Sequence, residues 1–399
     1  MSGQAAATHV SGPRQLGAWQ GWVALVALSA ALAFPLALVD GGHVYLLGQG
    51  AGAILAALVI AAEVLASFGP AGSSVGTTVL LVGAAICAGY VLLVLPSVAS
   101  LAPDPTRSTG ALLAATAGFW ALAVAAWLLA WLLVSRLADV RPIRPAARML
   151  LNIVVPLVFG AGIVFLWEVL VRGLAVPFVI LPPPSAIWAR LIASIPTLGI
   201  DFRQTFLKAV LAGYAIGCTS GYFVAIVVDR VPFLRRGLLP VGNLVSALPI
   251  IGIEPITVMW FGFDWQSKAA VVVAMTFFPM LVNTLAGLAA SEDIERALMH
   301  TYAANYWQSL VKLRLPAALP FIFNALKINS TLAMIGAIVA EFFGTPVVGM
   351  GFRISTEVGR MNTDMVWAEI AVAALAGSAF YGAVALIERA STFWHPSFR

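Results

Sequence analysis

The chain has 399 residues, of which 61% are hydrophobic and only 10% are charged, and its mean hydropathy is +0.98. Soluble domains carry far more charge, so this composition excludes that class and indicates a protein that spans a membrane several times. The formal charge is +5. Because no basic cluster is long enough to follow a phosphate backbone, we expect no nucleic-acid partner.

About ten apolar runs of roughly 20 residues, the length of a membrane-crossing helix, predict an all-α polytopic bundle embedded in the lipid bilayer. Four runs come first, at Trp22–Val39, His43–Phe68, Ser74–Val98 and Gly110–Leu137. The first exceeds the core of a secretory signal, so we expect it to be retained as a span. An Arg- and Pro-rich stretch, Arg136–Arg148, then interrupts the pattern, as is typical of a cytoplasmic loop. We place a boundary there, between an accessory four-span region at 1–140 and a second domain at 141–399.

Six further apolar runs follow this boundary. They are Leu151–Val171, Thr205–Val228, Leu238–Trp260, Ala269–Leu288, Phe321–Phe343 and Met365–Ile387. The distribution of Lys and Arg between alternate loops predicts that both termini are cytoplasmic, together with the polar loop between the eighth and ninth runs.

That loop, Ser291–Pro320, is the longest polar interruption late in the chain, and we call it the handle. Ser291 is typical of a helix cap, and Asn305 begins a pattern typical of a capping box. The handle is therefore predicted to contain two short helices joined at Ala303–Asn305 and ending before Pro316. Amphipathic helices of this length between two spans indicate a partner outside the membrane. The alternative is a hairpin that lies on the lipid surface.

Polar side chains within the predicted spans are candidates for a solute pathway, because charges in lipid are costly and usually face a cavity or a partner. Five are selected: Glu254, Asn283, Lys327, Asn329 and Glu341. We predict that they line or gate a translocation route. The alternative is that they pair one helix with another.

No pattern in the chain predicts a bound metal or nucleotide. His43, His300 and His395 are isolated, and Cys87 and Cys218 have no ligand at metal spacing. The nucleotide-binding pattern GxxxxGK[ST] does not occur, so any ATP-driven motor must be a separate chain.

Several motifs follow one another in the second half. They are LPPPSAIW at Leu181–Trp188, WFG at Trp260–Gly262, FFPMLVNT at Phe277–Thr284, VAE at Val339–Glu341 and WHPSF near the C-terminus. With the handle, they make Leu151–Phe398 resemble the membrane permeases of bacterial ABC importers of the nitrate, sulfonate and taurine type. That family's loop reads Glu-Ala-Ala, three residues, Gly, nine residues, Ile, one residue, Leu-Pro. Here Ala297–Met299, Ala303 and Leu315–Pro316 occupy the first, second and last of these positions.

The resemblance implies a six-span, type I-like permease core whose coupling loop, 291–317, rests on a cytoplasmic ATPase. It also implies a permease homodimer with a pair of ATPases that bind ATP and Mg, an extracytoplasmic solute-binding protein, and a place in the bacterial inner membrane. This chain would be a transport subunit without enzymatic activity or a cofactor of its own. The candidate coupling residues are Glu295, Ala297, Leu298, Met299, His300, Tyr302, Ala303, Leu315 and Pro316. Because Ala303 replaces the family's Gly, we expect the turn to avoid the left-handed backbone conformation.

The run Ala325–Gly344 is most similar to permeases of the branch that handles thiamine-pyrimidine precursors and riboflavin. This similarity implies a small heterocyclic solute, with nitrate, a sulfonate or taurine as the alternative. A membrane-embedded enzyme is the competing class. The sequence disfavours it, because it has no HExxH motif, no DxxD pair at the mouth of a span and no Ser/His/Asp set in one region.

Overall fold

The computed structural model describes residues 117–139, 145–231, 250–344 and 348–393, with short pieces between 23 and 44 and between 233 and 240. Nearly all of the second predicted span and the whole of the third lie outside the described residues. The chain divides into two compact units, Met1–Ser185 and Ala186–Arg399. The domain boundary at 140 stays a prediction.

Two short strands follow helical residues between 23 and 31. Strands β1 (Ala37–Val39) and β2 (Gly42–Val44) form an antiparallel ribbon in which Leu38 lies opposite His43. The expectation that the first span continues as a helix to Val39 is therefore wrong, and the fold is not purely helical. The sequence explains the ribbon, because Pro35 disfavours a continuing helix and Asp-Gly between two strands favours a tight hairpin turn.

The first unit contains helices α1 (Ala117–Asp139) and α2 (Pro145–Gly173), which match the fourth and fifth predicted spans. They pack closely at Gly162, where an added Cβ would lie 3.1 Å from the Trp127 ring. The extended segment after α2 is tied back to it, since the Glu168 carboxylate accepts hydrogen bonds from the Ser185 backbone N–H (2.9 Å) and hydroxyl (2.7 Å).

The helices that follow α2 begin with α3, which starts one residue before the end of the first unit. In chain order they are α3 (Pro184–Ala193), α4 (Ile195–Phe202), the π-helical segment π1 (Arg203–Val210), α5 (Leu211–Arg230), α6 (Ile250–Phe261), α7 (Trp265–Ala289), α8 (Asp293–Thr301), α9 (Tyr306–Ser309), the π-helical segment π2 (Leu310–Arg314), α10 (Leu315–Gly344), α11 (Met350–Gly359) and α12 (Thr363–Ser391). Helix α4, π1 and α5 form one continuous helical segment, and α9, π2 and α10 form another.

Among the described residues, six helical segments are long and apolar enough to cross a membrane. They are Ala117–Ser135, Met149–Gly173, Ile195–Arg230, Trp265–Ala289, Tyr306–Phe342 and Thr363–Ser391. They coincide with the fourth, fifth, sixth, eighth, ninth and tenth predicted runs. The predicted total of ten is not confirmed, because nearly all of the second run, the whole of the third and parts of the first and seventh lie outside the described residues.

Helix α7 is central in the second unit and contacts both α5 and α10. Helix α5 presents Gly213, Gly217 and Gly221 to α7, and a Cβ at Gly217 would lie 2.1 Å from the Thr276 hydroxyl. Glycines four residues apart share a helix face, so the two backbones approach more closely than larger side chains would allow.

Contacts between distant residues define the two ends of the second unit. At one end, Asp229 of α5 contacts Tyr306, and the Leu288 carbonyl of α7 contacts Arg314. We call this the handle end. At the other, the far end, Thr205 of π1 contacts Glu341 of α10.

Candidate functional site

Helix α8 of the handle begins one residue later than predicted. Its N-cap is Glu292, not Ser291, and a capping box joins Glu292 to Glu295, whose carboxylate accepts from the Glu292 N–H at 3.1 Å. The residue three positions after Ser291 is Ile294, which has no polar side chain to complete such a box. The start of α8 is therefore set by the acidic pair.

The end of α8 contradicts the expectation for Ala303. Its φ is +53°, in the left-handed region. The Ala303 N–H donates to the His300 carbonyl (2.9 Å), and the Ala304 N–H donates to the Met299 carbonyl (3.0 Å). These are the two hydrogen bonds of a Schellman motif, and they offset the cost of roughly 1 to 2 kcal/mol that an L-residue incurs in this conformation. Ala303 thus adopts the left-handed conformation for which glycine is the favoured residue.

The second helix of the handle begins as predicted and ends differently. Asn305 and Gln308 form the expected capping box, with both hydrogen bonds at 2.9 Å. The helix does not stop before Pro316. It continues through π2 into α10, and Pro316 is the second residue of that helix. A wider π-helical turn ahead of a proline reduces the clash of its ring with the preceding turn.

An exposed apolar stripe runs along α8. Ile294 is 79% exposed, Leu298 is 55% exposed and Tyr302 is 78% exposed, although these residues recur every four positions, as in helices that bury one face. Among the predicted coupling residues, Met299 is half-buried, and the others at 295–303 are exposed. Leu315 and Pro316 are half-buried at the start of α10. The nine predicted residues therefore divide into six that are exposed and three that are half-buried.

Three residues hold the inner side of the handle, and we call them the latch: Asp229, Tyr306 and Arg314. None of them is among the residues predicted to couple or to line a pathway. The Arg314 guanidinium donates to both Asp229 oxygens, at 2.7 and 2.8 Å, and the Tyr306 hydroxyl donates to the same carboxylate at 2.9 Å. Arg230 lies over the Tyr306 ring, 4.6 Å from its centroid. The one signal in the sequence was a charged residue, Arg314, directly before the Leu-Pro pair. The family pattern accepts any residue at this position and therefore does not single it out.

At the far end, side chains from other helices cap the N-terminus of α11. The Gly349 N–H donates to Asp201 (2.8 Å), the Met350 N–H to the Thr205 hydroxyl (2.8 Å) and the Gly351 N–H to Glu341 (3.0 Å). Gly349 has φ +137°, and a Cβ there would lie 2.6 Å from the Glu341 carboxyl group. Glycine is therefore required where the loop passes this carboxylate.

Charged partners complete the far end. The Arg353 Nε donates to Asp201 at 2.8 Å, and this hydrogen bond raises the pKa of Arg353. Asp201 and its neighbour Glu369 are fully buried. Beside α7, burial works against ionisation of Asp264, but hydrogen bonds from the Gln204 side chain and the Trp265 N–H keep the pKa of Asp264 below its usual value.

The five predicted pathway residues have different hydrogen-bond partners, although Glu254 and Glu341 are both close enough to Lys268 to interact with its charge. Glu341 belongs to the far-end cap, and Glu254 is buried on α6, with its Oε1 3.4 Å from Lys268 Nζ. Asn329 is buried at mid-helix and donates to the Thr276 carbonyl at 2.8 Å.

The remaining two predicted pathway residues have partners near them. Asn283 donates to the Pro279 carbonyl of its own helix at 2.8 Å. Lys327 pairs with Glu388 of α12 at 2.7 Å, towards the handle end. A pathway role for any of the five stays a prediction.

Comparison with known proteins identifies a family that the second half of the chain resembles. Residues 213–392 match the model of the binding-protein-dependent transport system inner membrane component. This part of the chain is therefore similar to members of that family. The match includes the handle, Glu254 and Glu341, so the permease domain contains all the residues predicted to couple or to line a pathway.

Individual relatives agree with the permease assignment. The chain is 29% identical over 239 residues to the formylaminopyrimidine transport permease protein ThiX of Halalkalibacterium halodurans, covering 60% of this chain and 95% of the relative. It is 29% identical over 235 residues to the riboflavin transport system permease protein RibX of Chloroflexus aurantiacus, covering 58% and 86%. It is 27% identical over 236 residues to the taurine transport system permease protein TauC of Escherichia coli, covering 57% and 85%. The resemblance seen in the sequence motifs is confirmed.

Proposed function

We propose that this chain is the membrane subunit of an ATP-driven importer and forms the passage for a small solute delivered by an extracytoplasmic binding protein. Two copies would pair with two cytoplasmic ATPases, which hold the ATP and Mg. Both termini and the handle would face the cytoplasm. The match of residues 213–392 to the permease family supports this proposal, and so does the shape of the handle.

The observation that carries the ATPase contact is the exposed stripe formed by Ile294 and Leu298 on α8 and by Tyr302 at its C-cap. Large apolar side chains presented by a short, capped helix are suited to insertion into a groove of another protein. The first turn of α8 carries Asp293 and Glu295. Helices that lie on membranes are typically rich in Lys and Arg on their polar face, so these acids favour a protein partner over a lipid surface.

For the solute, we propose a small heterocycle such as a pyrimidine or a vitamin precursor. The names of the two relatives at 29% identity, one for formylaminopyrimidine and one for riboflavin, support this choice. A second candidate is taurine or an aliphatic sulfonate, which is favoured by the relatives at 27% identity that are named for those solutes.

The test begins with co-purification of the full chain with a Walker-motif ATPase and a solute-binding protein encoded beside it. We expect a stable complex that imports solute into proteoliposomes only when ATP is present. Absence of both the complex and ATP-dependent uptake would refute the proposal.

Equilibrium binding to the isolated binding protein then separates the solutes, with formylaminopyrimidine, riboflavin, taurine and an alkanesulfonate as probes. We expect tight binding of one of the two heterocycles. Tight sulfonate or taurine binding without heterocycle binding would replace our choice of solute while leaving the importer itself intact.

A further inference from the structure

The latch joins the handle to α5, a helix that neither directly precedes nor directly follows the handle in the chain. Helix α7 leads into the handle and α10 leads out of it, whereas α5 ends at Arg230, about 60 residues earlier in the chain. A movement of α8 therefore reaches α7 and α10 along the backbone. It reaches α5 through the packing of α5 on α7 and, directly from the handle, through the latch.

The position of Asp229 indicates why a strong contact is required there. It lies in the last turn of α5, where the negative end of the helix dipole disfavours an acid. Its side chain is only 8% exposed, and that of Arg314 is 15% exposed. Burial of such a carboxylate is tolerated because the guanidinium contacts both of its oxygens.

Arg314 also connects to α7. Its Nε donates to the Leu288 carbonyl at 3.0 Å, and Leu288 lies in the last turn of α7, where carbonyls have no partner within the helix. One guanidinium therefore holds the ends of α5 and α7 against π2. Beside it, Leu310 of π2 is buried in a cluster with Cys218 and Met280.

The segment held by the latch reaches the far end. Ile195–Arg230 is a continuous helical segment of 36 residues, roughly 50 Å long. Near its start, Asp201 and Thr205 accept the hydrogen bonds that fix the N-terminus of α11. The same segment thus contacts the handle at one end and α11 at the other.

We propose that Asp229, Tyr306 and Arg314 are positioning residues that transmit movement of the handle to Ile195–Arg230 and, through it, to α11. This inference rests on the proposed function, because it assigns the movement of the handle to the ATPase. A static brace would differ in one respect: its loss would lower stability without changing how α11 responds to nucleotide.

The test follows α11 in the assembled complex of permease and ATPase. Val358 lies in α11 and is half exposed. A Val358→Cys variant, made in a background with Cys87→Ser and Cys218→Ser, is labelled with a charged thiol reagent with and without ATP plus orthovanadate. In this parent we expect nucleotide trapping to change the labelling rate by roughly fivefold or more, the usual size of coupling between two sites.

Asp229→Asn, Arg314→Gln and the double variant are then compared with the parent. We expect each single change to abolish most of the nucleotide-dependent difference, and the double variant to behave like either single variant, because the residues act as one contact. Tyr306→Phe removes one hydroxyl and keeps the ring over which Arg230 lies. It should reduce the difference partially, and it decides the question if the charge variants do not assemble.

The matched control is Arg190→Gln, which removes an Arg–Asp contact at the start of α12, where Arg190 Nε lies 3.4 Å from Asp364. It should leave the labelling response at the parent level. An unchanged response in all latch variants, or no response in a parent that binds the ATPase, would overturn this inference but not the proposed function. A parent that does not bind the ATPase would overturn the proposed function as well.

Discussion

The two ends of the second unit use polar and apolar residues in opposite ways. The outer surface of the handle exposes large apolar side chains on a helix whose caps are local, between residues three to five positions apart. The far end buries charged side chains whose partners are up to 152 residues away in the chain, as for Asp201 and Arg353. This contrast teaches that burial, rather than the number of charges, decides where a substitution disrupts the fold and where it affects a contact with a partner.

The largest difference in stability between the two ends is expected when one Asp at each end is changed to Ala. Asp201→Ala leaves Arg353 and the Gly349 N–H without their buried acceptor, and should cost about 3 to 5 kcal/mol of stability. Asp293→Ala removes an exposed contact to Arg296 of similar length, 2.9 Å, and should leave stability unchanged. The measurement is the apparent unfolding temperature of the purified chain in detergent. Equal shifts in the two variants would contradict the contrast.

Two glycines, Gly349 at the N-cap of α11 and Gly359 at its last position, give a second comparison. Gly349→Ala places a Cβ 2.6 Å from the Glu341 carboxyl group at a φ that L-residues rarely adopt, and should cost about 2 to 4 kcal/mol. Gly359→Ala is the matched control, because its Cβ would meet no atom within 4 Å. Thermal unfolding should separate the two by several degrees, and a stable Gly349→Ala protein would show that the cap is not rigid.

A charge in the exposed stripe should affect the partner contact and spare the fold. Leu298→Asp is expected to lower ATP-dependent uptake at least tenfold, about 1.4 kcal/mol, with an unchanged unfolding temperature. Leu298→Met keeps the apolar contact and serves as the control at the same position. Normal uptake by the Asp variant would place the ATPase contact elsewhere on the handle.

The smallest effect is expected at the turn between the two handle helices. Ala303→Gly removes the strain of a left-handed alanine and should stabilise the handle by about 1 kcal/mol. Ala297→Gly, inside α8, should destabilise it by a similar amount. Amide hydrogen exchange of α8 reports both changes. Ala303→Pro should destabilise the handle, because proline fixes a negative φ. We expect this variant to uncouple ATP hydrolysis from uptake.

Features set by local chemistry were predictable from the sequence. Apolar runs predicted the six described spans, and the Asn305 capping box depends only on residues three apart. The predictions for Ala303 and Pro316 were wrong because they rested on the intrinsic preferences of alanine and proline. Hydrogen bonds hold Ala303 in the left-handed conformation, and a continuous helix includes Pro316. The far-end cap was out of reach, since no local pattern associates Asp201 and Thr205 with a loop about 150 residues later.

Segment π1 changes the direction in which side chains point along its helix. A π-helical turn holds more residues than an α-helical one, so the side chains before π1 are rotated relative to those of α5. If the same residues of Arg203–Val210 wound as a regular α-helix, Asp201 would be turned by about 100° relative to the glycine face of α5. The acid that caps α11 would then point away from Gly349 while α5 still packed on α7. One surplus residue thus lets a single helix present glycines to one neighbour and an acid to another.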